Sequence, residues 1–578
     1  MMNISTNLIA QRVNTLQKNS KPVQNSTAPT NIEPTKSGSS LITQYLENLA
    51  KINTPAVTKP QEADIAPKKP YKNDLRTKFL TNDAKILAII PRTFNAKDTN
   101  NNEYIDGNEV HGTFLNAIDR LDEVKAMGID TLHLLPIHPP GFNNAMGTAG
   151  SVYSPLDMLK IDPVLIDKKD PRSDIEQFKA FVDACHDRDI RVMVDMPSCA
   201  SYDLFNKRQD LMALERNGLA KTPQGWNDIR MFQPWEDEGK RTLNPALLEY
   251  HRKYVDMMID AGVDGIRADV ARAKPVEFWD IIIPYSRKRD PEFAWLAESY
   301  TYEDASPQAN MPYDRPEDSL RAGFDAYYGQ YHIFHEWNTA KELHDYVIDN
   351  LNLSYRVEKG KTLIGSFATH DDISPMCHGG TIYCNMTTGL QATLPMMNPY
   401  FVDGFQSGDK YDYKYKDTYS TNTLTDSNNM TVHQSKLDIF NLSRKPGGNN
   451  PEIGEFAAEA MKLRDKYSDI IRRGSYIVLD KKKDNQDQVI AFARHRQGKT
   501  LLVLANKNVN RPVACKVQVP TLKQNQELTN LLPAYGEKST FQVNQGEIAL
   551  ELGPARVHVF EIDTPYIENY TRKVYKQH

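Results

Sequence analysis

The 578-residue chain has little with which to cross-link itself, enter a bilayer or grip a polyanion. Its five cysteines, Cys185, Cys199, Cys377, Cys384 and Cys515, form no CxxC pair and no even set. That excludes a disulfide framework and points to reduced thiols in a cytosol. No run approaches the roughly 20 apolar residues of a membrane span, and the N-terminus, MMNISTNLIAQR, lacks the apolar core of a signal peptide. The cytoplasm is the expected compartment. Neither sign of charge dominates: the net charge of −5 argues against nucleic acid or an anionic membrane as a main partner. What is there, 40% apolar and 25% charged residues, is ordinary for soluble globular protein. The length suffices for two or three domains.

Residues 1 to 70 hold seven prolines and one aromatic residue, Tyr45. Such a stretch buries too little apolar surface to offset chain entropy, which predicts a disordered segment over 1–78. One exception is 41–52, where Leu41, Tyr45, Leu49 and Ile52 share a helical face, as a surface helix or a docking peptide. From about residue 83 strands alternate with helices. The strands are AKILAIIPR (84–92), TLHLLP (131–136), IRVMVDM (190–196), residues 263–270, FAWLAES (293–299), GFDAYY (323–328), LIGSFATH (363–370) and ATLPMMN (392–398). Between them, a helix is expected over 114–127, a capping box at Ser173 and Glu176, and a helix start at Asn244–Pro245. Eight such units predict an α/β fold, a (β/α)8 TIM barrel over 79–472. The segment 197–242 is too long for a βα loop and reads as a small insertion after strand 3. Beyond Gly474 the period becomes two, predicting a C-terminal antiparallel β-sandwich over 473–565 and a tail over 566–578.

Acids stand where these strands end. Arg267 and Asp269 lie two apart and so share one side of their strand. The guanidinium is expected to keep Asp269 ionised, as a covalent glycosidase requires of its nucleophile. Glu298 ends the fifth strand, Asp195 the third, and His370, Asp371 and Asp372 the seventh. Acids at the carboxyl ends of successive parallel strands converge on one rim, where barrel enzymes keep their chemistry.

In this order Asp195, Arg267 with Asp269, Glu298, and His370 with Asp371 resemble the four sequence regions of the α-amylase superfamily, over roughly residues 85 to 565. The resemblance implies α-retaining cleavage of an α-glucan or maltooligosaccharide. Asp269 would attack the anomeric carbon, and Glu298 would protonate the leaving oxygen and later deprotonate the acceptor. The two carboxyls should then stand about 5–5.5 Å apart. Asp371 would grip sugar hydroxyls as charge develops. Arg267 and His370 would clamp the reacting ring, alongside Asp195. GSVYSPLDMLKIDP (150–163) is similar to the stretch that supplies a stacking tyrosine, here Tyr153, with Asp157 holding the loop.

DTNNNEYID (98–106) sets oxygens at Asp98, Asn100, Asn102 and Asp106, with the Tyr104 carbonyl between, at calcium-loop spacing. It lacks the central glycine of an EF-hand and resembles the metal loop of the superfamily's oligoglucosidase branch, implying a structural Ca2+. No organic cofactor is expected. The chain also departs from the family: Cys199 and Ala200 replace an Asn–His pair, Thr369 an Asn, and Arg272–Ala273 a Lys–His pair. The absent histidine, HPPG (138–141), KPVEFW (274–279) and LRAGFDAYYGQYHIFHEW (320–337) resemble the maltosyltransferase branch. Three readings follow: a glycoside hydrolase or transglycosylase on α-1,4-glucans, a maltosyltransferase with a maltosyl or sugar-phosphate donor, and a non-catalytic glycan-binding scaffold. Retention of all three carboxylates weighs against the last. Tyr411, Tyr413, Tyr415 and Tyr419 in GDKYDYKYKDTY read as a solvated loop or a sugar platform.

Overall fold

The structure, a computed structural model, describes residues 71–97, 99, 109–144, 151–223, 228–299, 316–329, 337, 339–357, 362–366, 369–370, 374–409, 450–481, 487–534, 537, 539–544, 546–563, 567–570 and 573–576. The helix expected at 41–52 and the tyrosine-rich loop lie outside them.

Eight parallel strands close into a barrel: β1 (Ile86–Ile89), β2 (Thr131–Leu134), β3 (Arg191–Met196), β4 (Gly265–Ala268), β5 (Ala294–Ala297), β6 (Ala326–Tyr327), β7 (Thr362–Ser366) and β8 (Met397–Val402). Parallel strands are covered on both faces, and β1 to β5 are accordingly buried at every position. Alternation sorts their side chains. Ile86, Ala88, Met193, Ala294, Leu296, Ala326, Tyr328 and Tyr400 fill the interior, while Leu87, Ile89, Leu132, Leu134, Val192, Val194 and Ile266 join the larger core against the helices.

The expected boundary at residue 78 falls inside a helix, Leu75–Leu80, whose buried Leu75 and Phe79 belong to the interior cluster. Two large apolar side chains there have a core to enter, so order extends N-terminal of the expected start. Gly265 fits beneath this helix because a Cβ would lie 2.8 Å from the Ala294 carbonyl oxygen and 3.1 Å from Leu75.

The expected capping box is present at Ser173, opening Asp174–His186. The Asn244 side chain accepts from Ala246 and Leu247 to start Pro245–Asp260. The helix expected over 114–127 is broken into Phe114–Ala117, a 3-10 turn Ile118–Arg120, and Leu121–Ala126. The eighth strand was expected over 392–398, but Pro375–Thr393 is a helix and β8 starts at Met397. Ala392, Thr393, Leu394 and Met396 are buried whether they end the helix or lead into β8, so burial of this short stretch does not separate the two.

The barrel's seam is the β1–β8 pair, Ile86 opposite Tyr400. Buried Arg464, on helix Pro451–Lys466, bolts it by donating to the Asn82 and Met397 carbonyls (both 2.6 Å) and to Ala392 (2.9 Å). Two short antiparallel pairs occupy the insertion, Cys199–Ser201 with Ile229–Met231 and Trp235–Asp237 with Thr242–Leu243.

The C-terminal region is a β-sandwich. A five-stranded sheet runs Val557–Asp563, Lys499–Asn506, Val489–Arg496, Ser475–Val478, Val574–Tyr575. Its alternate residues Ile490, Phe492, Leu501 and Val503 face the barrel's helices, and Ala491, Ala493, Leu502 and Leu504 face a second layer with Val513, Val517 and Ile548. The last strand lies in the stretch expected as a tail, held by Tyr476 opposite Tyr575 and Ile477 opposite Val574. Among the described residues no helix is long and apolar enough to cross a membrane.

Candidate active site

The barrel wall sets the site before any loop contributes. β3 and β4 pair with Asp195 opposite Arg267, and the period of two turns both inward with Met193. Asp269 and Glu298 each stand one residue past a strand. The ladder carries on through their amides, Asp269 N–H to the Met196 carbonyl (3.1 Å) and Glu298 N–H to that of Ala268 (3.0 Å).

Arg267 joins the acids. One terminal nitrogen donates to both oxygens of Asp195 (2.8 and 3.0 Å) and to Asp269 Oδ1 (3.0 Å), and the other contacts Glu298 Oε2 at 2.7 Å. Asp195 and Arg267 are fully buried. The Tyr153 hydroxyl donates to Asp195 Oδ2 (2.8 Å) and so accepts from His370 Nε2 (2.8 Å), with the two rings stacked at 10°. Asp157 holds the preceding loop, accepting from Tyr250 and from the Leu159 amide.

Asp269 Oδ2 accepts from the Ser198 amide (3.0 Å) and hydroxyl (2.8 Å). Glu298 Oε2 accepts from the amide of Val270 (2.7 Å). Val270 takes φ 37° and ψ 64°, left-handed for a β-branched residue. Such a conformation is strained, costing on the order of 1–3 kcal/mol, and clusters at functional sites. Here it aims an N–H at the acid of the next strand.

Burial dominates the titration of Asp269 and pushes it up to about 7; Arg267 pulls down, while Glu298 and Asp195 add to the rise. This corrects the expectation that the Arg267 guanidinium keeps Asp269 ionised at neutral pH: burial outweighs it. One guanidinium is shared by three carboxylates, and the most deeply buried takes most of it. Burial also acts to raise Asp195, but Arg267 and His133 hold it down at about 2. Arg267 itself stays charged, since burial is outweighed by Asp195 and Glu298, which raise it further.

Six of the expected residues, Tyr153, Asp195, Arg267, Asp269, Glu298 and His370, therefore meet in one site. Asp371 lies outside the described residues, as do Asp98, Asn100, Asn102, Tyr104 and Asp106. The ends of that loop are drawn together by a bridge between Lys97 and Val110. Sequence reading missed His133, Ser198, Tyr328 and Tyr400. His133 places Nε2 3.4 Å from Asp195 and Nδ1 2.9 Å from the Tyr400 hydroxyl, and burial keeps it neutral. Its signal was a polar residue inside the apolar strand TLHLLP. Tyr328 lies under the guanidinium of Arg267 at 5.1 Å.

Ala200, where the superfamily that the sequence resembles carries histidine, is fully buried and pairs with Arg230 of the insertion. A cleft of ≈560 Å³ opens between the insertion and the loop after β4, lined by Trp235, Lys221, Glu238, Arg241, Arg272 and Lys274 among others.

No protein-family profile matches the chain. Among curated proteins it is similar to the alpha-1,4-glucan:maltose-1-phosphate maltosyltransferase of Cereibacter sphaeroides, 27% identical over 306 residues, 50% of this chain and 42% of that one. The enzyme of the same name from Corynebacterium glutamicum is 29% identical over 210 residues, 34% and 30% of the two chains. The chain thus spans less than half the length of these relatives. Among solved structures it is similar to a maltogenic alpha-amylase from Thermotoga neapolitana, with TM-score 0.61 and 21% identity over 84% of this chain and 99% of that one. An alpha-amylase from Lactobacillus plantarum has the same TM-score at 18% identity, covering 84% and 100%.

Proposed function

We propose that this member of the α-amylase superfamily is an α-retaining enzyme that acts on α-1,4-glucans through a glycosyl-enzyme. One observation carries the reading: a single buried guanidinium in contact with Asp195, Asp269 and Glu298. In the first step the Asp269 carboxylate bonds to the anomeric carbon as the glycosidic C–O bond breaks, and Glu298 delivers a proton to the departing oxygen. In the second, Glu298 takes the proton of an incoming hydroxyl, whose oxygen displaces Asp269. Arg267 holds both carboxylates in place, and Asp269 has its second oxygen fixed by Ser198. Asp195, Tyr153 and His370 form one hydrogen-bonded wall suited to a sugar ring, with Asp371 as the further acid at charge development. No organic cofactor enters this chemistry. A structural Ca2+ would be held by the oxygens of Asp98, Asn100, Asn102, Tyr104 and Asp106, hard donors that suit it. The compartment is cytoplasmic.

Within this reading, the second hydroxyl belongs to a glucan end rather than to water, and the unit moved is maltosyl. Two observations favour this: Ala200 offers no imidazole where hydrolytic relatives have one, and the curated relatives are named as maltosyltransferases. Incubation with maltooligosaccharides, with and without phosphate, separates the outcomes. Redistribution in maltose steps, or formation of maltose phosphate, supports transfer. A ladder of reducing sugars from the start leaves hydrolysis. No reaction overturns both.

A further inference from the structure

After Asp269 the chain passes through Val270 and a 3-10 turn, Ala271–Ala273, and then sends the Lys274 side chain back beneath that turn. The residue is 3% exposed. Its Nζ donates to the Ser198 carbonyl at 3.1 Å and lies 5.2 Å and 6.0 Å from the ring centroids of Phe232 and Phe278. Ser198 in turn gives both its N–H and its hydroxyl to Asp269 Oδ2. The loop after β3 is thus held from below by an ammonium, and itself holds the carboxylate from above.

A carbonyl needs no ammonium to satisfy it. Burying that charge costs several kcal/mol, and a neutral donor would serve Ser198 at less cost. The groups that act on Lys274 through charge are Cys199 at the end of the β3 loop, Asp269 on its own loop, and His251 on the packed helix Pro245–Asp260. Burial pushes the Cys199 thiol up to about 12 and holds His251 well below its usual range, so both are neutral near pH 7. Of these three, Asp269 is the anion the buried cation has to answer.

We infer that Lys274 is a positioning residue for Asp269: it fixes the Ser198 peptide that supplies two hydrogen bonds to the attacking carboxylate, and it favours that carboxylate's charged form. The inference rests on the reading of Asp269 as nucleophile. Burial brings Lys274 down to about 8, so the cation is lost just above neutrality.

α-Maltosyl fluoride is the probe. Its C–F bond breaks as Asp269 bonds to the anomeric carbon, and fluoride leaves as the anion with little need of the Glu298 proton. The pre-steady-state rate of fluoride release is measured from pH 5 to 10, together with KM, for wild type, Lys274→Arg and Lys274→Met. Wild type is expected to lose rate as pH rises through about 8. Lys274→Arg keeps the rate to the top of the range, because guanidinium does not deprotonate there. Lys274→Met is slower at pH 7 by roughly ten- to a hundredfold, the range for a hydrogen bond to a charged group, with KM nearly unchanged and no alkaline decline. The same decline in all three proteins, or a loss confined to KM, overturns the positioning role while Asp269 keeps its own. If Lys274→Met does not fold, the Lys274→Arg profile decides alone. Absence of fluoride release by wild type overturns the catalytic reading and this inference with it.

Discussion

Replacing Asp269 with Asn removes the proposed nucleophile, and it is also expected to stabilise the fold above neutral pH. Burial raises this carboxyl to about 7 from an ordinary 3.8, despite Arg267. A carboxyl raised in the folded state binds its proton more tightly there than in the unfolded chain. Its contribution is therefore fully favourable below about pH 4 and is lost as pH climbs through 7. At about 1.4 kcal/mol per pH unit, a rise of roughly three units makes the ionised group worse than a neutral one by up to ~4 kcal/mol at pH 8, and by about 1–2 kcal/mol at pH 5. The coupling of Asp269 to Glu298 makes these upper figures. The amide has a further effect. Its oxygen can still accept from Arg267, but its N–H2 then faces the Ser198 amide, and leaving that donor unpaired costs about 1–2 kcal/mol. The net expectation is a gain of about 2 kcal/mol at pH 8 that vanishes near pH 5, with turnover lost at both. Urea unfolding of wild type and variant at the two pH values, beside assays on maltooligosaccharides, tests it. A variant no more stable at pH 8 than at pH 5, relative to wild type, refutes the electrostatic account of the cluster. Near-wild-type turnover refutes the nucleophile.

Three further outcomes are expected. Glu298→Gln should slow cleavage of ordinary glucans far more than of α-glycosyl fluorides, whose leaving group needs little acid; equal slowing on both would make the glutamate structural. Calcium should raise the melting temperature by binding the folded state alone, chelator should lower it, and Asp98→Ala should end the sensitivity; a melting curve indifferent to both leaves a turn without metal. Gly265→Ala should destabilise by about 1–3 kcal/mol, because its Cβ meets the Ala294 carbonyl oxygen at 2.8 Å and cannot displace backbone; an unchanged denaturant midpoint would mean the helix beneath yields freely.

Much of this site could be read from sequence because buried parallel strands leave a plain trace: an apolar run that stops on an acid. Asp195, Asp269 and Glu298 each carry it, and each lies at the rim. The eighth strand was expected five residues early because Ala392 to Met397 is buried throughout, and so short a buried run does not reveal its period. Ser198 was missed, and Lys274 was noted only as the first residue of KPVEFW, for another reason. Their contacts join residues 71 and 76 apart in the chain, and no local pattern encodes such a meeting. The ionisation of Asp269 was misjudged because its neighbour Arg267 is visible in sequence, whereas its burial, and the sharing of that one guanidinium with Asp195 and Glu298, are set by the fold.

The bolt across the barrel's seam carries a consequence for how the protein is made. Arg464 donates to the Asn82 carbonyl across 382 residues of chain. A ribosome adding roughly 5–20 residues per second needs about 20–80 s to deliver the arginine after the first strand has emerged. For most of that interval, until Met397–Val402 is made, Ile86–Ile89, four consecutive apolar residues, has an edge whose partner does not yet exist. Such an edge is a template for pairing with other nascent chains. The interval lengthens as translation slows, so slower synthesis prolongs the exposure of this edge instead of relieving it.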